Sequence, residues 1–141
     1  MGWLEGNVAL ITGAGSGLGR ALVDRFVEEG ARVLAFDRAA ERLEALEAAH
    51  TGSVVGVVGD VTVAGDNELA VARAIDLFGR LDTFIGNAGM FDYGARLIDP
   101  PIDALDRAFD EVFALNVKAC LPGVKAAAPA LMESEGSVLL T

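Results

Sequence analysis

The amino-acid sequence predicts an α/β fold, a doubly wound parallel sheet covered by helices on both faces. Three observations carry the prediction. Short apolar runs alternate with longer amphipathic stretches along the 141 residues. The runs are apolar at successive positions, as strands buried on both faces are, rather than at alternate ones. Seventeen glycines cluster where runs and stretches end, at the places where an α/β chain turns.

Val8 to Ile11 reads as the first strand. Leu18 to Glu29 follows as a helix with Leu22, Val23, Phe26 and Val27 on one stripe, and Gly30 is placed to end it. Arg32 to Phe36 is the second strand, Ala39 to Ala49 the second helix and Val54 to Val58 the third strand. Ala64 to Phe78 is the third helix, stopped at Gly79, and Thr83 to Gly86 the fourth strand. Ile102 to Leu115 reads as a helix that continues beyond Asn116, where Pro122 and Pro129 are expected to kink or divide it. Ser137 to Leu140 is a fifth strand. Right-handed crossovers then give the strand order 3-2-1-4-5 in a three-layer αβα arrangement. No linker or repeat interrupts the pattern, so residues 1–141 read as one domain.

Composition narrows the function classes. Residues are 52% hydrophobic and 23% charged, which fits a globular chain, and the net charge is −10. So acidic a surface repels phosphate backbones and anionic lipid, which argues against nucleic-acid and membrane partners. No signal-like segment and no apolar run of about 18 residues is present, so a cytoplasmic protein is expected. The one cysteine, Cys120, can form no internal disulfide and reads as a small core or interface residue. The one histidine, His50, is expected on the surface near a helix end, without triad or metal partners, and no metal site is expected.

The strongest local signal is TGAGSGLG, comprising Thr12, Gly13, Ala14, Gly15, Ser16, Gly17, Leu18 and Gly19, between the first strand and the first helix. Glycine allows a tight turn and a close backbone approach to a pyrophosphate, and the helix start behind it offers free N–H groups. The spacing is Gly13-x-x-x-Gly17-x-Gly19, a pattern that gains weight from the strand before it and the acid after it. That acid is Asp37, at the end of the second strand and 18 residues past Gly19. A carboxylate there can accept hydrogen bonds from ribose hydroxyls and would repel a 2′-phosphate, which favours NAD over NADP. Arg38 beside it can either accommodate that phosphate or stand solvated at the start of a helix.

These residues resemble the short-chain dehydrogenase/reductase family. Thr12, Gly13, Gly17 and Gly19 match its glycine turn, Asp37 its acid after the second strand, and Asp60–Val61 its Asp-Val pair after the third. Asn87, Ala88 and Gly89 match its Asn-Ala-Gly motif, and Asn116, in LNVK, its helix asparagine. The matches come in order and span the chain. The resemblance implies a Rossmann-type nucleotide-binding fold, NAD as cofactor, a small-molecule substrate and a homo-oligomer joined through helices that include Ile102–Leu115. It also implies that Asp60 and Val61 lie by the adenine, and that the Asn116 backbone holds a water for proton relay while its side chain stabilises a local bend. Read as a residue alone, Asp60 can instead cap the following helix. The segments VALITGAGSGLGRALVDRF, VVGDV, GNAGMFDY and GSVLLT are similar to bacterial cis-dihydrodiol dehydrogenases of aromatic-ring degradation. In this group Gly86 replaces the asparagine common before Asn-Ala-Gly. Met90, Phe91 and Tyr93 then either line an apolar substrate pocket or pack within their loop.

Family chemistry also requires a serine after the fifth strand and a Tyr-x-x-x-Lys. Tyr93 is the only tyrosine and Leu97 stands four residues on; Ser134 and Ser137 precede or begin the fifth strand. The chain is therefore expected to be the first part of a longer enzyme, incomplete on its C-terminal side, with no dehydrogenase activity and with poor solubility or association by itself. An NADP-dependent ketoacyl reductase and a non-catalytic dinucleotide-binding regulator are the competing functions.

Overall fold

The computed structural model describes residues 2–92, 94 and 96–141. It contains the expected five-stranded sheet. The chain runs β1 (Val8–Thr12), α1 (Gly17–Glu28), β2 (Arg32–Asp37), α2 (Ala40–Ala49), β3 (Val54–Val58), α3 (Ala64–Phe78) and β4 (Thr83–Gly86). It continues with α4 (Ile102–Phe113), a π-helical turn (Ala114–Lys118), α5 (Cys120–Ser134) and β5 (Ser137–Leu140). The order is β3-β2-β1-β4-β5 and every pairing is parallel.

Alternation along β1 divides the interior into two layers. Val8 and Leu10 point to one face, where Leu34, Phe36 and Phe84 meet Ala70 and Ala74 of α3 and Ala127 and Leu131 of α5. Ala9 and Ile11 point to the other, where Val33, Ala35 and Ile85 meet Val23 of α1 and Leu43 and Leu46 of α2. Burying strand residues on both faces requires the runs to be apolar throughout. After β3 the chain crosses back over β1 and reverses its direction of travel across the sheet. The carboxyl ends of β1 and β4 therefore splay neighbouring loops apart, at the place where open α/β sheets hold ligands.

Helix ends follow local rules. Gly30 (φ 92°) and Gly79 (φ 79°) take the left-handed conformation expected past a helix C-terminus. His50 stands at the end of α2, near a helix end as expected, but it is half-buried rather than on the surface: its Nε2 lies 2.6 Å from Asp24 Oδ1 on α1. That hydrogen bond, assisted by the charges of Arg20 and His50 and opposed by partial burial, holds the Asp24 carboxyl below the ordinary value.

The expected division at the prolines is not observed. Helix α5 runs through both Pro122 and Pro129. Pro122 stands in its first turn, where a missing N–H costs little. Pro129 would deprive the Lys125 carbonyl of a donor, but both residues are exposed, so water can replace it. The interruption falls earlier, at the π-turn, where the Ala119 amide donates to the Ala114 carbonyl five residues back (2.9 Å).

Among the described residues, α4 and β5 leave apolar side chains uncovered. Helix α4 has no buried residue; Ile102, Phe109 and Phe113 are exposed, and the two phenylalanine rings stack with centroids 5.0 Å apart. Strand β5 is exposed throughout, including Val138, Leu139 and Leu140. No helix among the described residues is long and apolar enough to cross a membrane.

Candidate functional site

A cleft of about 320 Å³ opens at the carboxyl ends of β1, β2 and β4. Gly13, Ser16 and Leu18 reach it from the glycine turn, Asp37 and Arg38 from the end of β2, and Asp60 and Val61 from the turn after β3. Asn87, Ala88 and Gly89 form its remaining wall. Thus most of the residues singled out by sequence, scattered over 77 positions from Gly13 to Gly89, share one concavity. Thr12, Gly15, Gly17, Gly19 and Asn116 are not on its lining. Phe36, Arg42, Gly59 and Leu115 are, and sequence reasoning missed them. Only Arg42 had a usable signal, its place one turn into the helix that follows Asp37.

The glycine turn is compact because side chains are absent. Gly13 has φ 63°, and a Cβ there would come within 2.8 Å of the Ala88 Cα. A Cβ on buried Gly19 would overlap the Gly13 carbonyl oxygen. Helix α1 thus begins directly beneath the turn. Ser16, its N-cap, is extended and its side chain makes no capping bond; the first turn carries no acid. The first amides of a helix have no intrahelical acceptors, so α1 turns free donors and partial positive charge to the turn. The fit to a diphosphate rests on these two facts: space kept clear of Cβ atoms, and donors left uncapped.

Thr12 is a staple rather than a lining residue. It is 3% exposed. Its hydroxyl accepts hydrogen bonds from the amides of Asn87 (2.9 Å) and Ala88 (3.0 Å) and donates to the Ile85 carbonyl (3.4 Å). Asn87 Nδ2 donates in return to the Thr12 carbonyl at 3.1 Å. Two opposite walls of the cleft are joined in this way. Thr12→Val keeps the shape but leaves the Ala88 amide without its acceptor and the Asn87 amide with the Ile85 carbonyl alone (3.1 Å), so it should lower unfolding free energy by about 1–2 kcal/mol in urea titration. A change inside the noise of that titration would contradict the staple.

Asp37 holds the third wall. Its Oδ2 accepts from the Gly15 amide (2.9 Å) and its Oδ1 from the Ala39 amide (3.0 Å). The carboxylate is fixed between the glycine turn and the start of α2, with lone pairs left to face the cleft. Arg38 and Arg42 flank it, two cations on the same lining.

Asp60 does not cap α3, whose N-cap is Val63. Instead its Oδ1 accepts from the Thr62 hydroxyl (2.7 Å) and amide (2.8 Å). The hydroxyl first, then the amide, holds the Asp60 carboxyl below its ordinary value; partial burial opposes them and Arg38 assists. Asp24 and Asp60 therefore bind protons less readily folded than unfolded. Such groups stabilise the fold above about pH 4, and the contribution is lost as pH falls through the lowered values. The thermal midpoint should drop on acidification below about pH 4, and less steeply in an Asp24→Asn, Asp60→Asn double variant. Equal slopes would show that these two carboxylates are not responsible.

Asn116 sits in the π-turn and grips the loop after β4. Its Oδ1 accepts from the Met90 amide (2.7 Å) and its Nδ2 donates to the Met90 carbonyl (2.9 Å). The side chain thus ties the π-turn to a segment 26 residues away. The Cys120 thiol lies 3.7 Å from the Asn116 carbonyl. Phe91 is exposed and joins no core cluster, and Tyr93 lies outside the described residues. Among the described residues no cluster of potential metal ligands forms.

Comparison with known proteins places this arrangement. The short chain dehydrogenase family model matches residues 7–141. The chain is 54% identical over 138 residues to cis-2,3-dihydrobiphenyl-2,3-diol dehydrogenase of Pseudomonas sp. (strain KKS102), covering 98% of this chain and 50% of that protein. It is 51% identical over 138 residues to cis-1,2-dihydrobenzene-1,2-diol dehydrogenase of Pseudomonas putida, with the same coverage. Among solved structures, the KRED1-Pglu enzyme superposes with a TM-score of 0.85 at 30% identity, over 96% of this chain and 55% of that one. A short-chain dehydrogenase/reductase from Brucella melitensis does so with 0.80 at 27% identity, over 93% and 54%. The chain spans about half the length of the curated relatives it matches. With the sheet order, the glycine turn and the Asn-Ala-Gly wall already in place, the match over residues 7–141 shows that this chain belongs to the short chain dehydrogenase family of oxidoreductases.

Proposed function

We propose that this segment is the cofactor-binding part of an NAD-dependent dehydrogenase that oxidises cis-dihydrodiols of aromatic compounds to catechols. The observation that carries the cofactor preference is the Asp37 carboxylate, fixed by the Gly15 and Ala39 amides at the edge of the cleft. It accepts ribose hydroxyl donors there and opposes a 2′-phosphate by charge. The α1 amides face the diphosphate. Asn87, Ala88 and Gly89 border the nicotinamide end, and Asp60 and Val61 the adenine end. A bound nicotinamide dinucleotide supplies the hydride acceptor. The protein's own contribution from this segment is orientation: Asn116 sets the loop at Met90, and the π-turn bends the helix that carries it. The resemblance assigns proton transfer to a serine after the fifth strand and a Tyr-x-x-x-Lys, neither of which stands within residues 1–141. The substrate class comes from the dihydrodiol dehydrogenases to which the chain is similar.

One observation favours a second reading, NADP-dependent reduction: Arg38 and Arg42 both line the cleft. Absorbance at 340 nm separates the two. Full-length protein with a cis-dihydrodiol should reduce NAD⁺ with kcat/KM at least about tenfold above NADP⁺, a difference of about 1.4 kcal/mol. Preference for NADP⁺, or no turnover of any cis-dihydrodiol, would overturn the proposal.

The exposed apolar stripe of α4 supports self-association, and we propose a homo-oligomer formed through it. Phe109→Asp with Phe113→Asp should reduce the sedimenting mass of the full-length protein; unchanged mass would argue against this surface.

A further inference from the structure

The turn at Asp60 to Val63 carries one wall of the cleft, and its conformation is set from below by two side chains of α3. Asp66 Oδ2 accepts from the Asp60 amide at 2.8 Å. Asn67, only 2% exposed, donates from Nδ2 to the carbonyls of both Val61 (2.9 Å) and Val63 (2.8 Å). Both donor hydrogens of this amide are spent on one turn. A buried amide is costly unless its bonds are made, and hydrophobic residues suit this helix face, where Ala70, Val71 and Ala74 are its buried companions. The site is built around it. Helix α5 crosses at Gly123, where a Cβ would stand 3.1 Å from Asn67 Oδ1 and 2.6 Å from the ring of Phe84. Asn67 has little freedom to move, and the turn it holds cannot shift without breaking two bonds.

We infer that Asn67 is a positioning residue for cofactor binding: it fixes Asp60 and Val61 in the place where they border the adenine half of the dinucleotide. The inference rests on the reading of the cleft as a dinucleotide site. Asn67 is not on the lining of the cleft. It acts through the backbone of Val61, whose side chain forms the wall. Removing its donors leaves the interior of the cleft otherwise unaltered, since Gly13, Asp37 and Asn87 have separate anchors.

The test uses the full-length protein with two variants. Asn67→Asp keeps size and shape but replaces the donors by oxygen facing two carbonyls. Asn67→Gln keeps the donors on a longer stem. ADP-ribose, which carries the adenine half without nicotinamide, serves as a competitive inhibitor against NAD⁺. In Asn67→Asp the inhibition constant of ADP-ribose and the KM for NAD⁺ should each rise about tenfold, with kcat within about twofold of wild type. Binding of nicotinamide mononucleotide should be unchanged, and Asn67→Gln should recover part of the ADP-ribose affinity. Equal weakening of both half-ligands, no weakening of either, or failure of both variants to fold would overturn the inference, because Asn67 would then serve the fold alone. If the wild-type protein binds neither NAD⁺ nor ADP-ribose, the reading of the cleft itself fails.

Discussion

Replacing Gly19 by alanine should abolish dinucleotide binding, with affinity for NAD⁺ falling at least about a hundredfold. One methyl group is enough because of where it would stand. Gly19 is buried in the first turn of α1, and its Cβ would overlap the Gly13 carbonyl oxygen. The atom in the way is backbone, so no side-chain rotation relieves the overlap. The same added Cβ would meet the Asn87 Nδ2 at 2.7 Å, so helix, turn and β4 wall must all separate. Overpacking of this kind costs about 1–3 kcal/mol of stability, and the displaced turn no longer brings its amides to one point. Gly17→Ala provides the contrast. Gly17 has φ 53° but open space beside it, so its variant carries only backbone strain of about 1–2 kcal/mol. Calorimetric titration with NAD⁺ and thermal unfolding of both variants test the argument. Gly19→Ala binding NAD⁺ as well as Gly17→Ala would refute it.

Asp37→Ser should exchange cofactor preference. The carboxylate accepts the Gly15 amide at the glycine turn and the Ala39 amide at the start of α2. Hydrogen bonds to a charged acceptor contribute about 1.5–3 kcal/mol each, and two ribose hydroxyls would use the remaining lone pairs. Loss of the charge should raise the KM for NAD⁺ by roughly 30- to 100-fold. For NADP⁺ the repulsion is removed, while Arg38 and Arg42 remain on the cleft lining to meet a phosphate. The ratio of kcat/KM for NADP⁺ to that for NAD⁺ should therefore rise by more than about a hundredfold. An unchanged ratio with uniformly lower activity would mean that Asp37 only holds the Gly15 loop.

Much of the fold was legible because parallel α/β structure writes itself locally. Runs apolar at successive positions mark strands such as β1 and β2, and the stripe of Leu22, Val23, Phe26 and Val27 marks α1. Gly30 and Gly79 mark helix ends by a backbone angle that few other residues adopt. The cleft was legible for a related reason: its residues stand at strand ends, and strand ends in such a sheet converge. The π-turn was not. Its Ala-Leu-Asn-Val-Lys sequence is compatible with an ordinary helix, and Pro122 and Pro129 offered a more conspicuous but wrong place for the break.

What the sequence determined by itself is the alternation of strands and helices, the order in which they cross, and the presence of a glycine turn followed by an acid. Those are properties of neighbours along the chain, read from hydrophobic period and allowed backbone angles. Only the tertiary structure decided which polar groups hold which across the fold: Thr12 beneath Asn87 and Asn116 on Met90. Each of those pairings depends on how the sheet brings distant segments within hydrogen-bonding or van der Waals reach. A hydrogen bond formed across the fold leaves no periodic trace in either partner.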